Sequence, residues 1–227
     1  EITAIPELLA LLDIKGCLVS IDAMGCQTEI AETILQQGGD YLLAVKGNQP
    51  KLFEAVRQAL APLAATPLCA ETMTLEKAHG RIDGREYHVM AAGELAAQFP
   101  HWKQLHSIGV AISYRVENMQ KITIEQRYFI SSKALVQDEF ARAVRGHWAN
   151  ENSLHSVLDV TMGEDDCPIY RGDAAEILAC IRHMGLNMLR AETSRKASVR
   201  RKQKIAGMSS EYLETVLNAG LKKLGEI

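Results

Sequence analysis

The first 68 residues alternate between helical and strand-like hydrophobic patterns. Apolar residues at helical spacing predict a first helix before Asp13, and the continuous apolar run Leu18–Ile21 is typical of a strand buried on both faces of a parallel sheet. A helix capped by Thr28 and a second buried strand follow, as in a strand–helix–strand unit. The predicted elements are a strand at 18–21, a helix at 28–36, a strand at 41–45 and a helix from 50 to about 60.

The pattern changes to strand character beyond the proline-containing segment 61–67, which we interpret as a linker. Helical spacing returns from 137 to about 160, with a break or bend near Gly146, and again from 173 to 190. The chain is therefore predicted to belong to the α/β (α+β) class. The predicted strands lie at 71–76, 86–90, 107–117 and 121–130, the last two as a hairpin, and a short helix is predicted at 210–217. The apolar face of the 173–190 helix consists of Ile177, Ile181, Met184 and Met188.

An acidic residue stands where the first buried strand ends. Asp22 follows Ile21 directly, and Gly25 comes three residues later. Open α/β sheets bind their ligands at the carboxyl ends of the strands. The position of Asp22 therefore indicates a functional side chain at that edge of the sheet.

A second polar feature lies in the helical segment 144–166. His147, Glu151 and His155 are spaced four residues apart, and Trp148 and Asp159 lie near the same stripe. Residues four apart share one face of a helix. This row is either a solvated helix face or part of a site, and its spacing alone favours the solvated face.

The distribution of charge modifies what the net charge indicates. A net charge of −3 argues against a nucleic-acid binder, but the segment from 190 to 204 holds seven basic residues and one acid, Glu192. Such a cluster supplies salt-sensitive attraction to phosphate, although a solvated helix end would look the same. The seven residues are Arg190, Arg195, Lys196, Arg200, Arg201, Lys202 and Lys204.

Cysteine usage and hydropathy exclude several classes of protein. The five cysteines are scattered and form no C-x-x-C pair, which fits a reduced cytosolic protein and argues against a structural zinc site. No apolar run reaches the roughly 18–20 residues of a membrane span. The turn at Lys46 lacks the glycines of a phosphate-cradling loop, so no nucleotide triphosphate site is predicted.

Several long segments, in the same order, resemble the transposases of the ISAs1 group, including the H-repeat-associated proteins of bacterial Rhs elements. The resemblance runs from Glu1 to about Leu189. It implies an RNase H-like core with a DDE carboxylate triad, in which Asp22 is the second aspartate and Glu151 the glutamate. The segments read GCLVSIDAMGCQTEIAE, GGDYLLAVKGNQP, AHGRIDGREY, RYFISS and VRGHWANENSLHSVLDVTMGEDD.

The function implied by this resemblance is metal-dependent DNA strand cleavage and strand transfer for the mobility of an insertion sequence. Carboxylates suit Mg²⁺ or Mn²⁺, so Asp22 and Glu151 are expected to bind the metal and to approach within about 10 Å. The expected partners are the ends of the DNA element, the target DNA and further copies of the chain, with no membrane and a cytoplasmic location. Supporting roles at Glu151 or at phosphate are expected for His147, Trp148, Asn152 and His155.

The resemblance also implies a domain organisation. It comprises a partial RNase H-like core (1–68), a β-rich insertion (69–130), the returning helical part of the core (131–191) and a basic C-terminal tail with a short helix (192–227). The family's first aspartate precedes the segments matched here. The core is therefore expected to be incomplete at its N-terminus, and this chain to be inactive by itself. The alternatives are a non-catalytic DNA-binding remnant of a decayed transposase and a metal-dependent nuclease without strand transfer.

The β-rich insertion is expected either to contact DNA ends or to act only as a lid that buries the flank of the core. Its candidate contacts are Lys77, His79, Arg81, Arg85 and Lys121. With Lys46 and the seven basic residues after 189, Arg81 and Arg85 complete the predicted DNA-binding set.

Overall fold

The structure is a computed structural model that describes the backbone of residues 2–64, 74–78, 81–117 and 121–224. Side chains are described for 2–63, 82–116, 123–149 and 153–223. The chain forms two compact units, Glu1–His147 and Trp148–Ile227. Each unit is described by itself.

The described part of the first unit contains one mixed sheet with the strand order β1-β2-β6-β5-β4-β3. Strands β1 and β2 are parallel, and every other neighbouring pair is antiparallel. The mixed α+β class predicted from the sequence is confirmed. The elements are α1 (Ala4–Ala10), β1 (Leu18–Ile21), α2 (Thr28–Gln36), β2 (Asp40–Val45), α3 (Pro50–Ala64), β3 (Thr74–Ala78), β4 (Arg81–Ala91), α4 (Glu94–Gln98), β5 (Ser107–Glu117), β6 (Lys121–Ser131) and α5 (Gln137–Asn150).

Helices cover both faces of this sheet. On one face α2 packs against β2 and α3 packs against β5 and β6, with Ile34 and Val56 fully buried in the shared core. On the other face the ring of Phe140 in α5 lies against Gly109 of β5, where an added β-carbon would meet the ring at 2.6 Å. Phe140 also makes edge-to-face contacts with Tyr87 and Phe129. Alternate residues of the central strands thus build two different cores.

Strand β1 differs from the predicted doubly buried strand. All four of its residues are half-buried. Val19 and Ile21 pack against the core shared with the helices, whereas Ser20 interrupts the apolar run. The prediction of burial on both faces was therefore wrong, because the run alternates between an apolar and a partly polar face.

Three local predictions need correction. Thr28 does not cap α2, because Gln27 occupies the cap position and Thr28 is the first helical residue. Helix α3 continues to Ala64 and includes Pro62, so the predicted linker is helical over its first four residues. Helix α5 passes through Gly146 without a break. The linker residues 65–67 and strand residues 71–73 lie outside the described residues.

The predicted β-rich insertion contributes to the main sheet. Strand β6 pairs with β2, so the strands from 107 to 131 continue the sheet that begins with β1 and β2. This grouping differs from the four regions expected from the sequence, whose boundaries stay a prediction.

The described part of the second unit is helical. Helix α5 ends at Asn150 and a π-helical turn, Glu151–His155, follows it. Leu189, Tyr212 and Val216 form a small core. Ile177, Ile181 and Met184 of α7 are more than half exposed, so the predicted apolar stripe has helical spacing but is not buried within this unit. The helices after the π-turn are α6 (Ser156–Met162), α7 (Ala174–Ala191), α8 (Val199–Met208) and α9 (Ser210–Leu224).

Candidate functional site

Asp22 lies in a tight turn immediately after β1. Its Oδ1 accepts hydrogen bonds from the backbone N–H groups of Met24 (3.1 Å) and Gly25 (3.4 Å). Gly25 suits this turn because a β-carbon there would come within 2.3 Å of Cγ2 of Ile21. Asp22 is exposed, and both bonds use the same carboxylate oxygen. The turn therefore holds the carboxylate in place and leaves Oδ2 able to bind a cation.

The loops that follow β1 and β2 are joined to each other. Asn48 Nδ2 donates to Ala23 O at 2.6 Å, and Gln49 Nε2 donates to Cys26 O at 3.0 Å. Because β1 and β2 are parallel, both loops leave the same edge of the sheet. Lys46 is exposed at the start of the second loop. The carboxyl edge is thus a connected platform that carries an exposed acid and an exposed cation.

His147 connects α5 to β1 within the first unit. Its Nδ1 lies 3.2 Å from Ser20 Oγ, within hydrogen-bonding distance. Ser20 precedes Asp22 by two residues, which is the side-chain repeat of a strand. Sequence reasoning missed Ser20 because it treated 18–21 as apolar. The available signal was the polar residue at that repeat.

Glu151 is the first residue of the π-helical turn. Hydrogen bonds in a π-helix join residues five apart, whereas the sequence predicted an ordinary helix through this segment. His155 is exposed and Trp148 is half-buried. The side chains of Glu151 and Asn152 lie outside the described residues, so the expected approach of Asp22 and Glu151 stays a prediction.

The donor chemistry of the predicted site fits a hard cation. Carboxylate oxygens are the ligands that Mg²⁺ and Mn²⁺ prefer. Among the described side chains, which do not include Glu151, no group of three or more His, Cys, Asp and Glu could hold a metal ion.

Lys202 does not belong with the exposed cations of the predicted DNA-binding set. It is only 7% exposed, and its Nζ donates to Leu189 O (3.1 Å) and to the backbone oxygen of Glu192. Nζ also lies 3.2 Å from Oε2 of Glu192. A buried ammonium with these partners stabilises the fold and does not reach phosphate.

Glu192 is the centre of this buried cluster. Its carboxylate accepts hydrogen bonds from Ser194 Oγ, from the backbone N–H of Arg195 (3.1 Å) and from Tyr212 O–H (2.6 Å). Burial alone would raise the pKa of Glu192, but these bonds and Lys202 outweigh it and lower the pKa to about 2. Burial and the Glu192 carboxylate raise the pKa of Tyr212 to about 12. The cluster holds the end of α7 and the start of α8 against α9.

The other basic residues of this segment divide into two groups. Arg190 donates to Ser153 O, and the guanidinium of Arg195 lies 5.2 Å from the centre of the Tyr212 ring. Both side chains are exposed but have a protein partner. The exposed cations within α8 and in the loop before it are Lys196, Arg200, Arg201 and Lys204.

The predicted contacts in the β-region are only partly described. Arg85 lies in β4, where it is half-buried and has interactions with neighbouring residues. His79 and the side chains of Lys77, Arg81 and Lys121 lie outside the described residues. Their role in DNA contact stays a prediction.

The described helices include none that is long and apolar enough to cross a membrane.

Comparison with protein families gives a match over most of the chain. The model described as "Transposase DDE domain" matches residues 1–188. The match includes the Asp22 turn and the π-helical turn that begins at Glu151.

Curated relatives extend the comparison to nearly the whole chain. YbfL and the H repeat-associated YhhI, both of Escherichia coli strain K12, are 46% identical to this chain over 223 residues. YncI of Escherichia coli O157:H7 is 44% identical over 229 residues. YhhI and YncI both carry the designation transposase. The matches cover 96–99% of this chain but only 58–59% of the relatives, so the chain spans about three fifths of their length.

Proposed function

Because this chain belongs to the family of H-repeat-associated transposases with a DDE domain, we propose that it takes part in DNA cleavage and strand transfer that move an insertion sequence. The proposed catalytic residues are Asp22 and Glu151, within a core of RNase H-like type. The observation that carries the proposal is the Asp22 turn, an exposed carboxylate held by two backbone N–H groups at the carboxyl edge of the sheet.

The proposed chemistry uses carboxylates to hold Mg²⁺ or Mn²⁺. When bound, such ions activate the attacking oxygen and stabilise the leaving oxygen of a phosphodiester. The backbone N–H groups of the turn bind Oδ1 and orient the Asp22 side chain. Oδ2 is therefore already in position when a cation binds. Since side-chain order precedes binding, little conformational entropy is lost when the ion arrives.

The proposed partner is DNA, both the ends of the element and the target. The exposed cations Lys196, Arg200, Arg201 and Lys204 supply attraction to phosphate that is independent of sequence. Lys46 would contribute at the carboxyl edge, next to the scissile phosphate. A cytoplasmic location and assembly into homo-oligomers belong to the same proposal.

A manganese titration tests the proposed site. Free Mn²⁺ is followed by electron paramagnetic resonance while the full chain, Asp22→Asn and Glu151→Gln are titrated in parallel. We expect saturable binding by the wild-type chain and its loss in both variants. Asp13→Asn is the matched control, because Asp13 is also exposed and its Oδ1 also accepts a backbone N–H, from Lys15 at 3.3 Å.

Two results would contradict the proposal. Equal binding by the wild-type chain, Asp22→Asn and Glu151→Gln would assign the metal to other residues. If neither the wild-type chain nor any variant bound Mn²⁺ saturably, the result would favour a DNA-binding remnant in which the carboxylates survive only by descent.

A further inference from the structure

A hydrogen bond joins the strand that precedes Asp22 to the helix that precedes Glu151. Ser20 Oγ and His147 Nδ1 lie 3.2 Å apart, and both residues belong to the first unit. Ser20 is two residues before Asp22, and His147 is four residues before Glu151. Along the sequence, Asp22 is therefore one strand repeat from Ser20, and Glu151 is about one helical turn from His147.

The contact continues the packed face of α5. Phe140 and Val144 are fully buried, and His147 follows them at the spacing i, i+4, i+7. This stripe would ordinarily continue with an apolar residue. The imidazole at its end meets a hydroxyl on β1, so a directional bond replaces apolar packing at that point.

We propose that Ser20 and His147 are positioning residues that fix α5 to β1 within the first unit and thereby hold the strand that delivers Asp22. The inference rests on the proposed function of Asp22 and Glu151. Asp22 follows β1 directly, so its turn begins where the strand held by this bond ends. The Ser20–His147 bond joins that strand to α5 at the polar end of the packed face of the helix.

The size of the expected effect follows from groups that orient metal ligands without binding the metal. Removing such a group typically lowers metal affinity about 10–100-fold. The same bond contributes only about 0.5–1.5 kcal/mol to stability. A positioning role therefore predicts a large change in Mn²⁺ affinity with a small change in melting temperature.

The first experiment compares two substitutions of Ser20 in the full chain. Ser20→Ala removes the hydroxyl, and we expect Mn²⁺ affinity to fall by about tenfold or more. Ser20→Thr retains a hydroxyl and suits a strand, so it should bind Mn²⁺ within about threefold of wild type. Melting temperatures are measured in metal-free buffer for each form.

The second experiment changes the other partner. His147→Asn places an amide close to the position of Nδ1, where it can either donate or accept, and we expect it to retain most of the affinity. His147→Phe keeps a ring and loses both nitrogens, so affinity should fall as in Ser20→Ala. The double variant Ser20→Ala/His147→Phe should be no weaker than His147→Phe, because Ser20 is proposed to act through His147.

Gly109→Ala is the control for a purely structural effect. It disturbs the packing of α5 at Phe140, two helical turns before His147. If Ser20→Ala lowers Mn²⁺ affinity no more than Gly109→Ala does, the positioning role is wrong. If Asp22→Asn abolishes binding while Ser20→Ala leaves it intact, this inference fails and the proposed function stands. If Mn²⁺ binding did not depend on Asp22 and Glu151, both this inference and the proposed function would be wrong.

Discussion

The ring of Phe140 occupies the space that a side chain at position 109 would need. A β-carbon on Gly109 would lie 2.6 Å from Cζ of Phe140 and 2.8 Å from its Cε2. Phe140 has no exposed surface, and it packs edge-to-face with Phe129 at a ring separation of 5.6 Å. A β-carbon at position 109 would therefore force the ring to shift against Phe129 and Tyr87.

We therefore predict that Gly109→Ala destabilises the protein by about 1–3 kcal/mol, the usual cost of overpacking a core. Urea unfolding followed by circular dichroism measures the change. Gly146→Ala is the matched control, because Gly146 lies inside α5 and, apart from its chain neighbours and the backbone of its own helix, no described atom lies within 4 Å of the added β-carbon. That variant should be more stable than wild type by about 0.5–1 kcal/mol. Equal stability of the two variants would contradict this account of α5.

The exposed cations before and within α8 should bind DNA of any sequence. Changing Lys196, Arg200, Arg201 and Lys204 to Gln should weaken binding uniformly and reduce the log–log salt slope by about 0.9 for each phosphate that is no longer neutralised. Fluorescence anisotropy over a series of salt concentrations gives the slope. A triple variant at Lys15, Lys51 and Lys103, exposed lysines of the first unit, should leave it unchanged.

Lys202 gives an internal contrast to these four residues. Lys202→Gln should leave the salt slope unchanged, because the Lys202 ammonium is buried against Glu192. A slope reduced as much as by Lys204→Gln would show that Lys202 reaches DNA. An unchanged slope in the quadruple variant would mean that the basic segment is only a solvated surface.

The Glu192 cluster should make stability depend on acid pH. The pKa of Glu192 is lowered from its ordinary value of 4.5 to about 2, so the ionised form is favoured in the folded state. Its contribution is fully present above pH 4.5 and is lost as the pH falls towards 2.

Glu192→Gln should therefore be less stable than wild type at pH 7 by about 3 kcal/mol, because Lys202 would stay buried without its carboxylate. The difference should narrow between pH 4.5 and pH 2, where wild-type Glu192 becomes protonated. Urea unfolding at several pH values measures it. Glu211→Gln, on the exposed face of α9, should show neither effect. A difference that stays constant with pH would contradict the low pKa of Glu192.

Much of the secondary structure could be predicted from local patterns. Strand β5 has the bounds predicted from alternation, Ser107–Glu117, and α2 ends at the predicted Gln36, although it begins at Thr28 itself. Both elements have a clear period and nearby turn residues. Pro62 misled the prediction at the end of α3, because packing against the sheet extends that helix beyond the point where local propensity would end it.

Features that depend on distant partners could not be predicted. The pairing of β6 with β2 joins residues some 85 positions apart, and no local signal specifies it. Lys202 has the sequence context of a surface cation, but Glu192 and Leu189 O bury it. The π-turn at Glu151 has the hydrophobic pattern of an ordinary helix. The position of Asp22 directly after β1, in contrast, could be predicted because a strand end is a local signal.

The central claim is that Asp22 and Glu151 hold the same metal ion, and iron-mediated cleavage of the backbone tests it most directly. Fe²⁺ replaces Mg²⁺ at the site, and ascorbate with peroxide then generates radicals that cut the chain near the ion. Mass spectrometry locates the cuts. The account predicts cuts near both Asp22 and Glu151, and excess Mg²⁺ should suppress them. Asp22→Asn should abolish the cuts at both positions, and so should Glu151→Gln. Asp13→Asn should leave both sets of cuts unchanged. Cuts near only one of the two acids, or cuts at both that persist in either variant, would contradict it.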